Sequence, residues 1–226
     1  VRFFVADECV QLGLRAGALL FHDLTVGAAS PALRSEIAKE IHALRARYAS
    51  PAAVRTDPLV ISFQEILRKV GANPRKEQPS VERLLSYALK RADLPAINSL
   101  VDAYNLISIR TGCSLGAHDL DRIALPVALR LLGGTESFTP LGRQQDQVVR
   151  AGEYGYVDAQ NRVLCRLDIL QAEFSKVTAD TVNALLIVEG TALHPAEILR
   201  SAFDSVVELI TRHCGGTAEI IAYPYS

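Results

Sequence analysis

Three short stretches of this 226-residue chain hold side chains that could do chemistry. The first is Gly116-Ala117-His118-Asp119-Leu120-Asp121. Here Gly116 allows a ligand to approach the backbone closely, and His118 is either a general base or, the preferred reading, an anchor of its loop. Ser114, His118 and Asp119 have the residue types of a nucleophilic triad but lie within six residues. A working triad draws its members from separate elements, so none is assigned. The second stretch is Gln171 to Thr178, where Glu173 either pairs with Lys176 or points into a cleft to bind a hydroxyl or a cation. The third is Asn105, a carboxamide in an otherwise apolar helix. Such a group must have its hydrogen bonds met, so Asn105 either pins a loop or forms a wall of a ligand pocket.

No strong catalytic signature accompanies these residues. The chain has no G-x-S-x-G elbow, no phosphate-binding Walker loop and no H-E-x-x-H pair. Cys9, Cys113, Cys165 and Cys214 are far apart and form no C-x-x-C pair, which argues for reduced, buried thiols rather than zinc or redox chemistry. No metal site or cofactor is expected, and the group that would activate water is left unassigned.

The elements that must position these residues follow from spacing. Ser99 and Asp102 read as an S-x-x-D capping pair. The run from Leu100 to Ile109 is apolar almost all round, which predicts a buried helix, and Gly112 supplies its left-handed stop. Upstream, VRFFVADECV and ALLFHDLTV within Val1 to Val26 read as a strand meander or hairpin. Ser30-Pro31 opens a helix with Leu33, Ile37, Ile41, Leu44 and Tyr48 inward. A second helix is expected over Ser62 to Val70, and a third capped by Ser80. Downstream, Ala124 to Leu132 and Thr135 to Thr139 read as a hairpin through Gly133-Gly134. Tyr154 to Asp158 and Arg162 to Ile169 form another. Ala184 to Val188 is a fully buried strand, a long helix begins near His194-Pro195, and Glu219 to Tyr223 returns as an edge strand. Helices gathered early and strands gathered late predict a single α+β domain over residues 1–226, with sheets and flanking helices.

Bulk properties narrow the partners. Hydrophobic residues make up 49% and charged residues 22%, which suits one sizeable core. Neither a membrane span nor a secretory leader is read, so the cytoplasm is the expected compartment. The chain has no methionine, even at its start, so it is read as lacking the first residues of the translated product. Net charge is -1, so any nucleic-acid contact must use a local patch and no DNA-binding field is present. The candidate patch is Arg68, Lys69, Arg75, Lys76, Arg83, Lys90 and Arg91. A solvated helix face is its plain reading, and a phosphate grip at the Asn73-Pro74-Arg75-Lys76 turn its functional one.

The runs LVDAYN…LGAHDLDRI and EFSKVTADTVNALLIVEG resemble the B3/B4 domain of the phenylalanyl-tRNA synthetase β subunit, and free-standing B3/B4 proteins most of all. The match is best over about residues 73–190. The resemblance implies trans-editing: hydrolysis of the ester that joins a wrong amino acid to the 3′-terminal adenosine of a tRNA. It also implies that Glu173 reads the amino-acid side chain and that Asn105 belongs to the pocket. Tyr104 stands where synthetase-linked members have threonine, Gly116 where they have the pocket histidine, and His118 where they have an aromatic residue. Canavanine on tRNA-Arg is the favoured error, with Glu173 and Asp168 or Asp119 accepting from an oxyguanidine group. Tyrosine on tRNA-Phe comes next. Arg75, Lys76, Arg83, Lys90 and Arg91 would hold the tRNA. The alternatives are a non-catalytic tRNA- or RNA-binding module and a small-molecule ester hydrolase.

Overall fold

The computed structural model describes residues 1–224. Its centre is the apolar run beginning at Ala184. This run forms strand β8 (Ala184–Thr191), buried at every position, as a strand covered on both faces must be. Two antiparallel strands flank it, β2 (Leu14–His22) and β3 (Ser114–Asp119), and β9 (Thr217–Ala222) closes the far edge in the order β3-β8-β2-β9. The second sheet has the order β1 (Phe3–Val5), β4 (Val127–Leu131), β5 (Tyr154–Val157), β6 (Val163–Arg166) and β7 (Leu170–Gln171); only β1 and β4 run parallel.

Alternation along the strands divides the core in two. Leu19, Phe21, Leu186 and Val188 face α2 (Pro31–Arg47), α5 (Ser80–Arg91), α6 (Ser99–Thr111) and α7 (Ala196–Cys214). Ala16, Leu20, Leu185 and Ile187 face the second sheet, where Leu129, Tyr154 and Leu164 meet them. Of three further helices, α3 (Pro51–Val54) packs with the first core through Val54, α1 (Asp7–Leu12) with the second through Cys9, and α4 (Pro58–Lys69) with both through Phe63 and Ile66. No helix among the described residues is long and apolar enough to cross a membrane. The α+β class, with two sheets and flanking helices, is therefore as expected.

Many local expectations hold. Ser30 caps α2, its hydroxyl accepting from the Leu33 N–H at 3.2 Å, and the 33/37/41/44 stripe is buried. Gly112 ends α6 at φ 74°. The hairpin of β5 and β6, the buried β8, the long α7 and the edge strand β9 all form.

The departures each have a physical reason. The amino-terminal meander is replaced by β1, α1 and β2, with β1 and β2 in different sheets. Asp7 and Glu8 favour the first turn of a helix, and Gly13 closes that helix at φ 104°. α4 starts at Pro58, four residues before the expected start, because Asp57 caps it by accepting from the Leu59 N–H. The cap of α6 is Asn98, not Ser99: Asn98 accepts from Val101 N–H at 2.9 Å and Asp102 from Ile97 N–H at 3.0 Å. Ser80 is the first helical residue of α5 rather than its cap, since its hydroxyl is committed elsewhere. Thr135 to Thr139 form no strand. The Glu136 carboxylate accepts from the N–H groups of Gly133, Gly134 and Thr135, so a side chain satisfies this backbone where a ladder was expected. β4 pairs with β5 instead. The Gly116 to Asp119 segment, expected in a loop, is the body of β3.

Candidate functional site

A cavity of about 520 Å³ opens between α6, β3, the start of α5 and the second sheet. Helical spacing brings Val101, Tyr104 and Asn105 to one side of α6, and all three line the cavity. α6 is buried at every position except Asn105 and Arg110. Asn105 escapes the core because it faces this space, and its carboxamide makes no hydrogen bond to any described residue. On β3, Ser114, Gly116 and His118 share one strand face and also line it. A Cβ built on Gly116 would meet nothing within 4 Å, so the glycine widens the cavity rather than relieving a clash.

The floor is acidic. Glu189 lies on β8 directly opposite Ser114, in phase with Ile187, and is 1% exposed. Its Oε2 accepts the Tyr156 hydroxyl hydrogen, while its Oε1 is buried without a partner among the described residues. Burial, and then the negative charge of Asp168, push the Glu189 carboxyl well above the usual range, so it is held as the neutral acid. Asp168 follows β6 in a turn where Leu167 and Asp168 both adopt left-handed φ, 54° and 57°. Such residues cost about 1 kcal/mol or more each, and here the turn places Asp168 in the cavity wall. The Ser80 hydroxyl donates to Asp168 Oδ2 at 2.9 Å and lies 2.6 Å from the Ser114 hydroxyl. Burial lifts the Asp168 carboxyl to about 6, against the pull of those two hydroxyls.

The remaining titratable groups are poor bases or nucleophiles. His118 is buried with Nδ1 3.0 Å from Ser175 Oγ, and burial lowers its imidazole to about 3. It is neutral and anchors β3 to the loop after β7. Cys165 lines the wall, and burial followed by the Asp168 charge pushes its thiol well up, which disfavours the thiolate. The cavity can therefore select and orient a ligand carrying hydrogen-bond donors or positive charge. Among the described residues, no three His, Cys, Asp or Glu side chains are placed to share a metal ion.

The structure thus brings together Tyr104, Asn105, Gly116, His118 and Asp168. Asp119 and Glu173 do not join them. Asp119 ends β3 and turns away, accepting from the Thr181 hydroxyl at 2.8 Å and the Asp121 N–H at 3.1 Å. Glu173 pairs with Lys176 and accepts from the Gly142 N–H at 2.8 Å. That N–H, foremost, and then Lys176 hold its carboxyl below the usual range. Gly142 follows Pro140 and Leu141, which do line the cavity, so Glu173 tethers a wall that it does not itself form. Of the basic residues, Arg83 reaches the cavity, joined by Arg143, while Arg75, Lys76, Lys90 and Arg91 are exposed elsewhere. The sequence offers Ser80 only as a helix cap and carries no motif that gives a site role to Glu189, Tyr156 or Arg143. For Glu189 the available signal was a carboxylate closing an apolar β run, since a glutamate is seldom fully buried without a role or a partner.

A family model of the B3/4 domain matches residues 63–215. The phenylalanine–tRNA ligase beta subunit of Bifidobacterium longum is 30% identical over 136 residues, which cover 58% of this chain and 15% of that protein. The beta subunit from Pyrococcus horikoshii is 25% identical over 128 residues, covering 46% of this chain and 23% of that one. The chain thus spans less than a quarter of either relative. The crystal structure of an N-terminal fragment of the phenylalanyl-tRNA synthetase beta subunit from Pyrococcus horikoshii superposes with a TM-score of 0.50 at 14% identity. That superposition covers 96% of this chain and 50% of the fragment.

Proposed function

The chain belongs to the B3/4 domain family, and from that premise we propose that it is a trans-acting deacylase of mischarged aminoacyl-tRNA. The observation that carries the reading is the buried Glu189 carboxyl with its unpartnered Oε1, set beside Asp168 at the bottom of the cavity. A buried polar group left unpaired costs about 1–3 kcal/mol, and a ligand that satisfies it recovers that energy. The ligand must offer donors to Asp168 and an acceptor to the neutral Glu189, as the oxyguanidine of canavanine does. Neutral Glu189 can also donate its proton to the oxygen that distinguishes an oxyguanidine from the guanidine of arginine. Tyrosine offers a single hydroxyl to the same pair and ranks second.

Hydrolysis adds water to the ester carbonyl carbon, breaks the bond to the ribose oxygen and returns a proton to that oxygen. His118 at about 3 is too weak a base to drive this at neutral pH. The rate would come from holding the ester in a reactive geometry, with a neighbouring ribose hydroxyl assisting. Asn105 and Ser114 would hold the ester, Tyr104 and Gly116 would shape its surroundings, and Glu173 would act indirectly through Gly142. Arg83 and Arg143 at the cavity, with Arg75, Lys76, Lys90 and Arg91 farther out, would contact tRNA phosphates. Work on charged tRNA would place the protein in the cytoplasm.

Single-turnover deacylation of canavanyl-, tyrosyl- and correctly charged tRNAs tests the reading. Cleavage of one mischarged tRNA at least tenfold faster than the cognate supports it. Equal rates on all would defeat the selectivity, and saturable tRNA binding with no cleavage above buffer would make the protein a binding module.

A further inference from the structure

Beside the acidic cavity lies a second one of about 280 Å³, and the two share Ser80, Arg83, Asn105, Ser114 and Leu115. The cleft is therefore bilobed, with a polar waist at Ser80, Asn105 and Ser114. Its lobes differ in chemistry. The first has Asp168 and Glu189 in its lining, whereas the second has no carboxylate. The second is lined by Leu84 and Tyr87 of α5, Pro95 of the α5–α6 connection and Ser108 of α6. Tyr87 is 40% exposed, large and aromatic at a position where core packing does not demand it.

A ligand filling both lobes has a donor-rich end, a polar junction and a flat, uncharged ring with hydrogen-bonding edges. Such a molecule is an aminoacyl nucleoside, bound with its ester at the waist. We propose that the second lobe is the seat of the terminal nucleobase of the tRNA, stacked on the Tyr87 ring. Ser108, three residues along the same face of α6 from Asn105, serves its polar edge. Arg83, common to both cavities, meets the phosphate on the 5′ side of that nucleoside. Stacking on an aromatic face suits any base, so this lobe supplies affinity for the tRNA end and leaves discrimination to Asp168 and Glu189.

This inference rests on the deacylase reading but is tested without ester chemistry. The probe is the trinucleotide CCA, titrated calorimetrically into the full chain and into the Tyr87→Ala and Tyr87→Phe variants. Loss of a stacking partner should weaken CCA about tenfold in Tyr87→Ala. Tyr87→Phe, which keeps the ring, should remain within about twofold of the parent. Equal affinity in Tyr87→Ala, or no binding by the parent at millimolar CCA, overturns the proposal. Tyr87-dependent CCA binding by a protein that cleaves no charged tRNA would remove the deacylase reading and leave the nucleobase seat standing. Cleavage with Tyr87-independent CCA binding would do the reverse.

Discussion

At the residue scale, burial sets what Glu189 and Asp168 can do, since it shifts both carboxyls upward. The Asp168 carboxyl sits at about 6 in the folded protein and near 3.9 in an unfolded chain. Between those values the folded state holds the extra proton, so this group lowers stability as pH rises from about 4 to 6. Urea midpoints measured across that window should show a smaller fall with pH for Asp168→Asn than for the parent. The same proton governs binding: ionised Asp168 attracts a cationic side chain, so cleavage of such a substrate should rise through about pH 6 and lose that rise in Asp168→Asn. Glu189→Gln removes an acid that Tyr156 already contacts and keeps its shape. Its thermal midpoint should stay within a few degrees of the parent, while preference for donor-rich over neutral aminoacyl groups drops about tenfold.

At the scale of elements, β3 shows how one strand serves both core and site. Its pleat sends Ser114, Gly116 and His118 to the cavity while Asp119 ties down the following turn. Gly116→Val puts a β-branched residue on a strand and into open space. Stability should change by less than about 0.5 kcal/mol, while deacylation drops at least tenfold as the pocket fills. The loop after β4 depends on one side chain in a different way. Glu136 is buried, caps three backbone N–H groups and pairs with Arg130 at 2.6 Å. Burial opposes its ionisation, yet the Gly133 N–H and Arg130 together hold it down to about 2. Its contribution is therefore complete above about pH 4.5 and is lost as pH falls toward 2. Glu136→Ala should cost about 2 kcal/mol, seen as a lower urea midpoint at pH 7 with part of the acid sensitivity removed. The sequence hides this arrangement because Gly-Gly after an apolar run is also what a hairpin looks like.

For the whole molecule, a net charge of -1 means that the proposed tRNA contact would rest on local guanidiniums, not on a global field. Replacing Arg83 or Arg143 by alanine should weaken tRNA binding about equally for charged and uncharged tRNA. Each should reduce the slope of log affinity against log salt by about one, measured by filter binding from 50 to 200 mM salt. The sequence by itself determined what depends on neighbours along the chain: the apolar stripes of α2 and α6, the Ser30 cap, the Gly112 stop, the buried run of β8 and the motifs that carry the family resemblance. It also marked Asn105 as out of place among apolar residues. Tertiary structure alone decided which acids line the cavity. Glu173 and Asp119 sit beside the right motifs but find partners within a few residues, at Lys176 and Asp121, and through longer contacts at Gly142 and Thr181. Glu189 and Asp168 lie 21 positions apart in sequence and meet only because β6 and β8 belong to facing sheets. Local spacing encodes periodicity and capping, whereas the field at a buried carboxyl is set by whatever the opposite layer places beside it.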